Sequence, residues 1–142
     1  MSRILVAVSS PEASERVVTP VADLARRLDA EVLVVHVTRP TGTGNAPSGG
    51  SGGGDRGEQA VRTLGDKIRS KGVSVQTLLM FSDDVAQAIL STAAEREVTL
   101  ILLGLTNKGV FQRLIAGNVP VELLRETRIP VVLLPPDFRG TL

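Results

Sequence analysis

Five short apolar runs divide this sequence, and the longer stretches between them carry a helical spacing of apolar residues. The runs are RILVAV (Arg3–Val8), EVLVVHV (Glu31–Val37), VSVQTLLM (Val73–Met80), and the segments Val98–Leu103 and Ile129–Leu134. VSVQTLLM alternates like a strand. The others are continuous and rich in Val, Leu and Ile, which is the pattern of strands covered on both faces. Between the first two runs, Val17, Val18, Val21, Leu24, Ala25 and Leu28 fall on one helical stripe. Ser9-Ser10-Pro11 offers a hydroxyl cap and a first-turn proline before that stripe, and Arg26-Arg27 suit its C-terminal dipole. Glu58–Lys71 repeats the pattern through Val61, Leu64 and Ile68 until Gly72 stops it. Ser82 is expected to cap a third helix with Asp83 and Asp84 in its first turn, and Asn118 a fourth helix running to about Arg125.

The order β-α-β-α-β-α-β-α-β places the chain in the α/β class. Right-handed crossovers lead to a doubly wound, five-stranded parallel sheet with helices on both faces, Rossmann-like or flavodoxin-like. The 142 residues make one domain. Thr38–Gly57 is dominated by Gly, Ser, Thr and Pro and reads as a mobile loop within that domain, since neither flank has a core of its own. The first run follows the initiating Met without the apolar core or cleavage site of a signal peptide, and no run reaches the ~18 residues of a membrane helix, so a cytoplasmic protein is expected. A net charge of +1 leaves no electrostatic footprint for nucleic acid, and an aromatic content of 2% leaves few rings on which bases would stack. The absence of Cys removes disulfides and thiolate chemistry.

In such sheets ligands sit beyond the C-terminal ends of the strands, where the strand order reverses. The ends of the first and fourth strands should flank that crevice, with Ser9 facing Gly104. The segment LILLGLTNKGVFQRLIAGNV (Leu100–Val119) fits it: an apolar strand ends at Gly104, a turn holds Asn107, Lys108 and Gly109, and Gly117-Asn118 opens a helix. Unpaired N–H groups and the dipole at a helix start favour an anion. Two familiar phosphate loops are excluded. Gly104 and Gly109 have P-loop separation, but Val110 and Phe111 replace its Lys and Ser/Thr, and SSPEAS replaces the glycine fingerprint after the first strand.

The chain resembles the universal stress protein family along nearly its whole length. RILVAVSSPEAS is similar to the family's ILVPVDGSEAS-type start, EVLVVHV to its second strand, RIPVVLLP to its closing strand, and Gly104-x2-Asn107-x9-Gly117-Asn118 to its nucleotide motif G-x2-G-x9-G-[ST]. The resemblance implies ATP binding, with Mg held only through the nucleotide. It implies Gly104, Asn107, Gly109, Gly117, Asn118 and Val119 around the phosphates and ribose, and Ala7, Ser9 and Val37 toward the ribose and base. Three residues depart from the pattern: Asn107 stands for a glycine, Asn118 for Ser/Thr, and Ser9 for an Asp. Asn tolerates a left-handed turn, and at a helix start it caps as a hydroxyl residue does.

The expected role is a stress-response sensor or regulator that binds an adenine nucleotide. No catalytic residues are assigned, and any ATP hydrolysis would be very slow, because no phosphate Lys, arginine finger or water-positioning carboxylate is evident. Two other readings stay open on the residues: a dimeric interaction module with a degenerate or empty pocket, and a pocket for another nucleotide such as a cyclic one. His36 reads as a packed, hydrogen-bonded core residue and Asp83-Asp84 as a helix-start pair, so no metal site is assigned. Ile129–Leu134 contains no charge and is expected at a sheet edge, where unpaired backbone groups invite a second copy across a two-fold axis. The family resemblance implies a homodimer through the same strand.

Overall fold

The structure is a computed structural model that describes residues 2–8, 11–38, 52–104, 119–135 and 138. The described strands are β1 (Arg3–Ala7), β2 (Glu31–Thr38), β3 (Val75–Phe81), β4 (Leu100–Gly104) and β5 (Val131–Leu134). The helices are α1 (Pro11–Leu28), α2 (Gly52–Arg69), α3 (Val85–Glu95) and α4 (Val119–Glu126). The strands form one parallel sheet in the order β3-β2-β1-β4-β5, as the doubly wound reading requires.

The continuous apolar runs are explained by burial on both faces. Ile4, Leu5 and Val6 are successive residues of β1, so they point alternately to opposite faces, and all three are 0% exposed. Ile4 and Val6 join Val32, Val34 and Leu102 beneath α1 and α2, through Val17, Val21, Ala25, Leu64 and Ile68. Leu5 joins Leu33, Val35, Ile101 and Leu103 beneath α3 and α4, through Ala86, Ile89, Ala93 and Leu123. α1 continues through Pro20, although a proline inside a helix costs about 3 kcal/mol. The buried stripe of Val17, Val18, Val21 and Ala22 on either side of it offsets that cost.

Two expected boundaries move. α2 begins at Gly52 and not at Glu58, so the end of the segment read as a loop, 52–57, is helical, while 39–51 lie outside the described residues. Each glycine weakens a helix by ~1 kcal/mol against Ala, which is why this stretch reads as a linker. Docking of α2 on β2 supplies what propensity lacks, and Gly57 is itself buried where the helix meets the sheet. The α3 cap is Asp84 and not Ser82: the Asp84 carboxylate accepts from the Gln87 amide at 3.1 Å. Ser82 acts one step earlier, where its hydroxyl oxygen accepts from the Asp84 amide at 3.1 Å. That contact turns the chain out of β3 and sets the helix start.

Gly72 stops α2 as expected and adopts φ +87°. A Cβ there would meet nothing within 4 Å, so the demand is purely one of backbone conformation. Gly72→Ala is expected to lower unfolding free energy by about 1 kcal/mol, because a left-handed backbone penalises any side chain. Urea denaturation checks this, and an unchanged midpoint would show that the turn relaxes.

Candidate functional site

The strand order reverses at β1. From β1 the chain moves outward to β2 and β3, then crosses back over β1 to β4 and β5. The crevice therefore opens between the C-terminal ends of β1 and β4, with the end of β2 beside it. Ala7 is paired with Leu103 on one side and with Val35 on the other, which sets Gly104 level with Val8.

Three expected site residues come together here. Ala7, Val37 and Gly104 lie at or next to the ends of three adjacent strands and are half-buried, whereas the strand centres beneath them are sealed. Ala7 and Val37 lie on the α3/α4 face, packed with Met80 and Val85 against its core. Together they make an apolar floor without a charged group, suited to a flat, uncharged ring. Val119 opens α4. Ser9, Asn107, Gly109, Gly117 and Asn118 lie outside the described residues, and with them the expected approach of Ser9 to Gly104.

Met80 and Val85 carry no signal in the sequence, because their part in the floor comes from the pairing of Val37 with Met80 and from the docking of α3. The Thr92 hydroxyl, on buried α3, donates to the Met80 sulfur at 3.0 Å and so ties α3 to the end of β3. His36 is hydrogen-bonded, as read: its Nδ1 lies 2.8 Å from the carbonyl oxygen of Val8. A carbonyl can only accept, so Nδ1 carries the proton. No group of three or more His, Asp or Glu residues that would hold a metal occurs among the described residues. No described helix is long and apolar enough to cross a membrane.

Known proteins share this arrangement. In solved structures, the universal stress protein from Archaeoglobus fulgidus in complex with dAMP superposes with a TM-score of 0.70 at 21% identity, covering 94% of this chain and 97% of its own. A universal stress protein in complex with cAMP gives 0.71 at 19% identity, covering 96% and 98%. Among curated sequences, a universal stress protein of Methanocaldococcus jannaschii is 22% identical over 93% of this chain and 81% of its own length. The sensor protein KdpD of Mycobacterium tuberculosis is 28% identical over 88% of this chain, which spans only 13% of that relative. The family model described as "Universal stress protein family" matches residues 1–135. Together with the strand order and the two-sided core, that match over almost all of the sequence is decisive: the chain belongs to the universal stress protein family.

Proposed function

We propose that this chain binds an adenine nucleotide, ATP foremost, in the β1/β4 crevice and acts as a stress-response sensor or regulator, with at most very slow ATP hydrolysis. The observation that carries the reading is the meeting of Ala7, Val37 and Gly104 at the point where strand order reverses. The base rests on the apolar floor of Ala7 and Val37. Phosphates and ribose take the backbone donors and turn residues of the motif Gly104, Asn107, Gly109, Gly117, Asn118 and Val119, with Ser9 at the mouth of β1. Mg is carried by the nucleotide alone. The structural neighbours holding dAMP and cAMP support an adenine ligand. The cAMP neighbour also favours a second reading, a cyclic nucleotide, which would need no metal-side carboxylate where Ser9 stands. A cytoplasmic setting agrees with the absence of a membrane-crossing helix among the described residues.

The same reading includes a homodimer through β5, which lies at an edge of the sheet. The Ile101 amide donates to the Pro130 carbonyl at 2.9 Å, and Ile101 is registered with Val131. In a parallel ladder this register turns the Val132 amide inward to β4 and leaves the backbone groups of Val131 and Leu133 on the open edge. Leu124 of α4, the helix that precedes β5, is a large apolar residue left 47% exposed.

Calorimetric titration with ATP tests the ligand, with cAMP as the competing titrant. Gly117→Asp sets a carboxylate where the motif calls for phosphate, so ATP affinity should fall at least about tenfold, with circular dichroism unchanged. Binding equal to the parent's would place the nucleotide elsewhere.

Sedimentation equilibrium at micromolar concentration tests the dimer, and a single species near 15.0 kDa would exclude it. Leu133→Pro removes an edge N–H without touching the β4 ladder, so it should promote dissociation of a folded protein.

A further inference from the structure

The carbonyl of Val8 marks the place where β1 parts from β2 and turns toward α1, one residue beyond Ala7 at the crevice. The Val8 amide still donates to the Val35 carbonyl at 3.0 Å. Continuing that register would bring the Val37 amide to the Val8 carbonyl at the next rung. There the His36 imidazole intervenes, and its Nδ1–H reaches the oxygen at 2.8 Å. The opposite side of the ring meets α2. A Cβ built on Gly57 would fall deep inside contact with the Cδ2 and Nε2 atoms of His36. Gly57 is thus the residue that lets the helix backbone lie against the imidazole. The ring is held from two sides, by a hydrogen bond to β1 and by the backbone of α2. Any larger residue at 57 would push it off the carbonyl.

We propose that His36 is a positioning residue for the nucleotide site, acting through Val8 to fix the end of β1 beside Ala7; this rests on the crevice being that site. His36 does not touch the base itself. Side chains alternate along β2, so His36 projects to the α1/α2 face, while Val37 and Ala7 lie on the other. Its influence therefore travels through backbone. With the carbonyl pinned, the end of β1 is set before ligand arrives. Without the ring, the end of β1 at Val8 has to be fixed at the moment of binding, and affinity falls by that cost. Gly57 extends the dependence to α2, because a shift of that helix toward β2 bears on the ring and hence on Val8.

The test uses the full chain and the variants His36→Leu, His36→Asn and His36→Gln, with ATP titrated by calorimetry and melting followed by circular dichroism. Asn brings an amide N–H close to where Nδ1 stands, whereas Gln brings one close to where Nε2 stands. Losing one neutral hydrogen bond and the order it imposes should make His36→Leu bind ATP about tenfold more weakly. His36→Asn should recover to within about threefold of the parent, and His36→Gln should remain with Leu. Gly57→Ala, with His36 intact, should also weaken binding. Peptide-level hydrogen exchange across Ile4–Val8 without ligand should rank the variants in the same order. A His36→Leu variant that binds as tightly as a binding-competent parent overturns the positioning role alone, and so does identical behaviour of Asn and Gln. A parent that takes up neither ATP nor cAMP overturns the nucleotide reading and the positioning role together.

Discussion

Every layer of this molecule depends on the burial of β1. Both of its edges are paired, with β2 and β4, and both of its faces are covered by helices, so it has no contact with solvent along its centre. A strand so enclosed must satisfy every backbone group through its neighbours. Its two ends are secured differently. At the N-terminal end, the Arg3 guanidinium donates to the Arg96 carbonyl and to Glu31 Oε1, and Thr99 both accepts from the Arg3 amide and donates to its carbonyl. Side chains from β2 and from the α3–β4 connection thus converge on one residue. At the C-terminal end, the side chain that binds the β1 backbone is the His36 ring. Among the described residues, the base of the strand is thus held by an arginine and a threonine, and its far end by an imidazole.

The crevice is a by-product of chain reversal: two crossovers lead away from β1 on one side and the next returns on the other, which parts the connections leaving the ends of β1 and β4. What lines the gap comes from the pleat. Residues that face α3 and α4 at strand centres are sealed, while their counterparts at the strand ends, Ala7 and Val37, are reached from outside. α3 is placed against this floor by two polar contacts, the Asp84 cap and the Thr92–Met80 bond, so the wall of the crevice is set by the same turn that ends β3.

The fold was largely legible in the sequence because burial on two faces writes itself as uninterrupted apolar runs, and the helices announced themselves by apolar stripes or by cap residues. The glycine-rich start of α2 was not legible, since its helicity comes from docking on β2 and not from its own residues. Ser82-Asp83-Asp84 offers three cap residues in a row, and only the path out of β3 selects Asp84. Ala7 and Val37 carry no chemistry that spacing alone would flag, and the family resemblance brought them forward. Met80 and Val85 became visible only through strand register. The bond from His36 to Val8 joins positions far apart in the chain, side chain to backbone, and leaves no pattern in the residues between them.

The contact between His36 and Gly57 has a consequence for how the sequence can drift. A ring at 36 and a bare backbone at 57 occupy one shared volume. A chain that keeps the imidazole has no freedom at 57, and a chain that shrinks residue 36 gains room there for a methyl group or more. The two positions, one in a strand and one in a helix, are bound to exchange bulk as a pair. A substitution at one changes what the other tolerates, although nothing in their spacing along the chain connects them.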